Sequence, residues 1–238
     1  MTNGICTIAN DVVCDQLIAL LNSIEAIYGT QMPVCVYPYN DKTEKIAAEI
    51  ARRPNVQLYD DRASIQAWDE FYQAVWDAHP NAQQCWKAKG FDTNYRYGIH
   101  RRMCAFDGPF DRFLYMDADT ILMNRIEPFF EQLDRADWVV YDFQYKDLSH
   151  VYNVSSPRLT EVFSQERIDS EIFCSGLYAT KKRIFDRAKC EEVLAQLRSG
   201  EAEILSIWAS DQTALNYMAM KSNLKLYNFA LQLPKEQV

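Results

Sequence analysis

Residues 113–123, FLYMDADTILM, carry the most chemistry in this chain: an apolar run stops at two acids, Asp117 and Asp119, with Ala118 between them. A buried strand normally excludes carboxylates, because an unpaired ionised acid is costly to take out of water. Two of them at a strand's end point to a cation or a phosphate-bearing ligand. Side chains at i and i+2 of a strand face the same way, so the two acids can converge. Hard divalent cations such as Mg2+ and Mn2+ take carboxylate oxygens and share substrate phosphates. A metal there could neutralise a departing diphosphate. Taken alone, an acid-x-acid triplet arises by chance in many chains, and a solvated turn would explain it as well.

Three more clusters join it. His100-Arg101-Arg102 stands before the acid-tipped strand. A guanidinium can grip a phosphate or fix a carboxylate with two hydrogen bonds; a solvated helix face is the plain alternative. In Cys174-Ser175-Gly176, the glycine would let a ligand approach the backbone and the serine offers a hydroxyl. A bulge in a core strand would explain the same residues. In Ser210-Asp211-Gln212, Ser210 is a natural N-cap. Asp211 suits the first helical turn through the helix dipole, or both following side chains reach a sugar's hydroxyls.

The elements that must position these groups read as α/β. Residues 4–9 form a strand, and a helix fits 14–28 with Leu17, Leu20, Leu21, Ile24 and Ile27 on one stripe and Gly29 to end it. A strand at 33–38, a helix at 42–53 and a strand at 55–59 complete a βαβαβ order, the mark of a parallel sheet. The helix at 64–79 carries Trp68, Phe71, Tyr72, Val75 and Trp76 at core spacing. Residues 81–98 show no clear period. A helix at 97–106 leads to the strand at 112–117. A short helix from Pro128 to 134 and a strand at 138–143 follow. Residues 144–170 are irregular, as a lid, a binding loop or a disordered segment would be. A strand at 171–179, helices at 183–198 and 211–221 and a strand at 224–231 close the chain.

Together these elements resemble a known family. TIAND at the first strand, RRM, FLYMDADTIL, FCSGLYATKK and SDQTALN, in that order over residues 4–232, are similar to the GT-A glycosyltransferases. The nearest group is glycosyltransferase family 8, which includes glycogenin and bacterial galactosyltransferases. The resemblance implies a Rossmann-like, mostly parallel sheet flanked by helices. It implies one domain over 1–238, with a nucleotide-binding half at 1–120 and a sugar and acceptor half at 121–238. Ala9, Asn10 and Asp11 would border the nucleotide. Arg102, or with a small shift Arg101, would assist the diphosphate. Asp117 and Asp119 would hold Mn2+ or Mg2+, with Asp117 and Ala118 against the nucleotide sugar. Ser175 and Gly176 would face the donor, and Asp211 and Gln212 would serve catalysis beside the donor sugar. The implied reaction moves a hexose from a UDP-sugar to a glycan or small-molecule acceptor, with retention.

The chain also departs from the family. A third metal ligand, a histidine in an H-x-x-G-x-x-K-P-W-like segment, is absent before Val238, so either the natural chain is longer or its branch differs. His150 is the candidate substitute. Cys174 stands where the family usually has asparagine, which points to an unusual donor or acceptor. A haloacid-dehalogenase-like phosphatase would use Asp117 as nucleophile and Asp119 as acid/base. Thr120 and Ile121 break that motif, which also comes too late in the chain. A catalytically inactive sugar- or nucleotide-binding module stays open. A nucleotidylyltransferase would need a glycine-rich basic loop, which NDVVCDQ is not.

Bulk composition fits this picture. The 238 residues are 48% hydrophobic, enough for a substantial core, and the net charge of −8 argues against general nucleic-acid binding. No run of about 20 apolar residues suggests a membrane span, and MTNGICTIAND lacks the pattern of a signal peptide. Seven cysteines without a CxxC spacing read as reduced structural thiols in the cytoplasm.

Overall fold

A computed structural model describes residues 1–92 and 94–232; the chain's end at Val238 lies outside them. Strands β1 (Asn3–Ala9), β2 (Val34–Pro38), β3 (Val56–Leu58), β4 (Arg112–Met116), β5 (Trp138–Val140), β6 (Leu177–Lys181) and β7 (Leu226–Asn228) form a seven-stranded sheet. Their order is β3-β2-β1-β4-β6-β5-β7. β1 to β4 run parallel, β6 is antiparallel to both β4 and β5, and β7 is parallel to β5. The winding reverses between β1 and β4. Open α/β sheets bind ligands outside the carboxyl ends of their strands at such a reversal. Ala9 and Asp117 stand there.

The strands are near-continuous apolar runs because both faces are covered. On one face Ile5, Ala9, Val36, Leu114 and Val139 pack under α1 (Cys14–Tyr28), α2 (Glu44–Ile50) and the residues around the short helix α5 (Glu127–Gln132). Alternate residues Cys6, Ile8, Tyr37, Phe113, Tyr115 and Tyr178 face α3 (Arg62–Asp77) and its neighbours on the other side. Helix α1 has the expected bounds. Its Leu17, Leu20, Leu21 and Ile24 are buried, and Gly29, at φ 58°, donates to Glu25 O and ends it. The aromatic residues of α3 are core, as their spacing predicts. Rings also stack across the sheet: Trp138 on Tyr178 at 4.5 Å and Tyr178 on Tyr115 at 5.2 Å. Such pairs add about 0.5–1.5 kcal/mol each beyond their burial.

Several segments differ from expectation. Residues Ile99–Phe106 form a 3-10 helix rather than an α-helix, buried almost all round, so no helical stripe is written in it. Part of the region at 81–98 is helical, as α4 (Ala82–Ala88). The irregular region 144–170 holds 3-10 turns at Gln144–Lys146 and Leu148–His150 and the short helices α6 (Arg158–Val162) and α7 (Gln165–Glu171). Because α7 runs to Glu171, the strand expected from 171 begins only at Leu177. The remaining helices, α8 (Arg187–Arg198) and α9 (Asp211–Lys221), pack on the aromatic face. The last strand is short and turns into a 3-10 segment, Phe229–Gln232. All seven cysteines are free thiols. Among the described residues no helix is long and apolar enough to cross a membrane.

Candidate active site

One buried guanidinium organises the ends of three elements. Arg102 is 1% exposed and stands over the Tyr115 ring, 4.6 Å from its centroid. Its Nη2 lies 3.1 Å from Asp117 Oδ1, just past β4, and its Nη1 donates to Ser175 O at 2.6 Å, in the turn before β6. Its Nε lies 3.0 Å from Asp211 Oδ2, in the first turn of α9. The Nε–H itself is directed at Ile99 O, so Asp211 Oδ2 is paired by charge yet accepts no hydrogen bond from the described residues. Burial pushes the Asp211 carboxyl above the usual carboxylate range, and Asp117 adds to this while Arg102 opposes it.

Local bonds set each partner. Tyr115 and Asp117 share a strand face, and Tyr115 Oη donates to Asp117 Oδ1 at 2.9 Å. Asp117 N–H donates to Gly176 O at 3.0 Å. A Cβ on Gly176 would sit 2.9 Å from Asp117 Oδ2, so the glycine admits this carboxylate. Ser175 and Gly176 therefore lie in a turn ahead of β6, not in a bulge within it. Gln212 Oε1 accepts from Ser175 N–H at 3.1 Å and its Nε2 donates to His150 O at 2.9 Å. The amide thus joins α9 to the irregular region. Ser210 does not cap α9 with its side chain. Its φ is 54°, a strained value for serine, and its Oγ lies 3.1 Å from Tyr72 Oη and donates to Tyr95 O at 3.4 Å.

Two adjoining cavities meet at Arg102. The first, of about 320 Å3, is bordered by Ala9, Asn10, Asp117, Ala118 and Asp119. The second, of about 390 Å3, is bordered by His150, Ser175, Gly176, Trp208, Asp211 and Gln212. Arg96, Ile99, Arg102 and Asp117 border both. Asp119 is exposed and has no hydrogen-bond or ion-pair partner among the described residues. His150 faces the second cavity, with Nε2 3.3 Å from Asp147 Oδ2. Among the described residues no three His, Cys, Asp or Glu side chains gather as a metal site, so His150 does not complete one with Asp117 and Asp119.

Two expected residues turn elsewhere. Asp11 Oδ1 accepts from the N–H groups of Lys45 and Ile46, at the start of α2, at 2.9 and 3.2 Å. Arg101 binds Asp69 through two bonds, at 3.0 and 2.8 Å, and borders a separate cleft near the ends of β2 and β3. His100 joins that pair. Its Nδ1 accepts from Gly98 N–H, which leaves the proton on Nε2, 2.7 Å from Asp69 Oδ1.

This cluster has a pH signature. Burial alone would raise the Asp69 carboxyl, but hydrogen bonds from His100 and Arg101 outweigh it and hold Asp69 at about 2. The unfolded value is about 3.9. A depressed native pKa contributes stability that is present above the unfolded value and lost as pH falls toward the folded one. Thermal melts of wild type and Asp69→Asn should therefore converge by about 1 kcal/mol between roughly pH 5 and pH 2, after allowance for solvent screening. A gap that stays constant would refute this.

Three residues at the site had not been singled out. Asn216, one turn after Gln212 on α9, clamps both Phe173 N and Phe173 O at 2.9 and 2.8 Å. Its signal was the polar i, i+4 pair inside an apolar helix. Trp208 is 45% exposed, with Tyr95 edge-on at 5.4 Å. Arg96 stands at the cavity junction. Neither Trp208 nor Arg96 belongs to a periodic pattern.

No family model matches the sequence, and no curated protein matches it. Solved structures do match in three dimensions. Mouse xyloside xylosyltransferase 1 aligns with TM-score 0.60 at 11% identity, over 95% of this chain and 85% of that one. The galactosyltransferase LgtC, solved with donor and acceptor sugar analogues, aligns with TM-score 0.61 at 15% identity, over 95% and 72%. The fold is that of the GT-A glycosyltransferases. Core-mannan synthase A from Aspergillus fumigatus, in its Mn/GDP form, aligns with TM-score 0.50 at 11% identity, over 96% and 73%. On this GT-A sheet the first cavity opens at the carboxyl ends of β1 and β4, and the second lies beside Asp117 past the end of β4.

Proposed function

We propose that the protein is a metal-dependent glycosyltransferase that moves a hexose from a nucleotide-diphosphate sugar, a UDP-sugar, to a glycan or small-molecule hydroxyl with retention. One observation carries this reading: Arg102 draws Asp117, Ser175 and Asp211 to the junction of two cavities at the reversal point of a GT-A sheet. The first cavity takes the nucleotide, bordered by Ala9, Asn10 and Ala118. The second takes the sugar and the acceptor.

The donor set suits a hard cation. Asp117 and Asp119 border one cavity, and the Asp119 oxygens are uncommitted. Two carboxylates with no third protein ligand among the described residues fit Mn2+ or Mg2+ shared with substrate phosphates rather than a closed protein cage. When bound, the cation would offset the negative charge of the departing diphosphate. Asp211 Oδ2, buried and without a hydrogen bond, offers an acceptor to a hydroxyl of the donor sugar. Gln212, its amide fixed at both ends, holds Ser175 and the His150 segment around that sugar. One LgtC structure is of an active-site mutant with glutamate in place of glutamine; Gln212 is the glutamine on α9 that this cavity offers.

In the reaction, the acceptor oxygen bonds to the anomeric carbon. The bond from that carbon to the donor's phosphate oxygen breaks, and its electron pair leaves with the diphosphate. The carboxylates bordering the second cavity, Asp117 and Asp211, are both held against Arg102 and are committed to that pairing. The acceptor's proton therefore passes to the departing phosphate oxygen, a route that suits retention. A phosphatase that uses Asp117 as nucleophile fits poorly, since Arg102 and Tyr115 hold that carboxylate.

The test is hydrolysis and transfer from a panel of UDP-sugars with Mn2+ and with a chelator. Turnover should need the metal and vanish on chelation. Tight UDP binding without turnover would instead favour an inactive donor-binding module. Absence of metal-dependent binding for every donor would overturn both readings.

A further inference from the structure

Charge at the cavity junction is unbalanced. Asp117, Asp119 and Asp211 contribute three carboxylates along the two cavities, and Arg102 is already shared by two of them. A diphosphate entering here would meet a negative wall, offset only by a divalent cation and by whatever basic group is still uncommitted. Arg96 is that group. It borders both cavities, is exposed, and its side chain has no hydrogen bond or ion pair with the described residues.

Its base is fixed on either side. Ser210 Oγ donates to Tyr95 O, the carbonyl just before it, at 3.4 Å. Two residues on, Gly98 is packed against Tyr39 O so tightly that no Cβ fits. Tyr97 N–H donates to Asn94 O and Ile99 N–H to Arg96 O, which close the turn. Arg96 itself sits at φ 53°, a conformation that disfavours every residue but glycine and to a lesser degree asparagine and aspartate. An arginine kept in a glycine's conformation, anchored at its base and free at its tip, is placed for its side chain.

We infer that Arg96 is a phosphate-binding residue, which closes on the donor's diphosphate where the nucleotide and sugar cavities meet. The assignment rests on the nucleotide-sugar reading and sharpens it. A guanidinium engages phosphate oxygens through two parallel N–H bonds, which a single ammonium cannot reproduce. Arg102 then serves as the buried organiser of the carboxylates, and Arg96 as the exposed cation that meets the anion.

Calorimetry with Mn2+ and either UDP or uridine, on wild type, Arg96→Ala, Arg96→Lys and Arg96→Gly, tests this. Arg96→Ala should weaken UDP binding about 10- to 100-fold and leave uridine unchanged. Lysine should restore part of the loss. Arg96→Gly should lose the same UDP affinity yet melt about 1–3 °C higher, because glycine relieves the left-handed backbone. Wild-type UDP affinity in Arg96→Ala, or an equal loss for uridine, would overturn the assignment and leave the glycosyltransferase reading intact. If wild type binds no nucleoside diphosphate in a wider panel, the donor reading fails, and this assignment with it.

Discussion

Replacing Asp119 with alanine is expected to lower metal-dependent turnover of a UDP-sugar roughly 1000-fold, equivalent to about 4 kcal/mol of transition-state stabilisation, with little change in stability. The asymmetry follows from what the two acids touch. Asp119 is exposed and has no partner among the described residues, so its removal should shift stability by no more than about 0.5 kcal/mol. Asp117 has a second duty. Its Oδ1 accepts from Tyr115 Oη and faces Arg102 Nη2, and its loss leaves a fully buried guanidinium with one carboxylate partner. Asp117→Ala should therefore lose activity to a similar degree and also destabilise the fold by about 1–3 kcal/mol. Turnover against Mn2+ concentration, paired with urea melts of both variants, separates the two duties. A wild-type Mn2+ response in Asp119→Ala would remove that residue from the metal site. Equal melting losses would show that the acids share one structural role.

The sequence was most readable where the physics is local or periodic. Strands covered on both faces are written as apolar runs, and α1 is bounded by a stripe of leucines and a left-handed Gly29. Short helices were not readable in this way: α6 and α7 have too few turns to show a period. The candidate site was legible as clusters and obscure as geometry. Asp117, Ser175, Gly176, Asp211 and Gln212 do gather around the cavity junction. Which arginine reaches them was not decidable from the adjacent pair, because successive residues of a 3-10 helix point about 120° apart. Arg102 turns into the sheet and Arg101 turns out to Asp69. Asp11 reads like a ligand-facing acid until its partners, the backbone of Lys45 and Ile46, are brought beside it by the fold. Ser210 has the composition of a cap, yet its hydroxyl goes to Tyr72 and Tyr95. Arg96 and Trp208 carry no pattern, since a single exposed side chain beside a cavity is visible only once the cavity exists.

Arg102 should be the costliest single position in the site to change. Itself buried, it is shared by two carboxylates, donates to one backbone carbonyl and covers one aromatic ring. Arg102→Ala leaves Asp117 and Asp211 facing each other without the cation that offsets them, and should destabilise the protein by about 3–5 kcal/mol. Arg102→Lys keeps the charge but not the fork. One ammonium cannot take the places of Nε, Nη1 and Nη2 at Asp211, Ser175 and Asp117 together, so a loss of about 1–3 kcal/mol is expected, with impaired donor binding. Arg102→Met alone should resemble alanine, because the destabilisation comes from the stranded acids and not from lost volume. Adding Asp211→Asn to Arg102→Met removes one stranded acid and should recover about 1–3 kcal/mol. Urea melts of the two single variants and the double variant measure that coupling. Additive losses would mean that Arg102 stabilises the protein through packing on Tyr115, and that the charge triad does not hold β4, the β6 turn and α9 together.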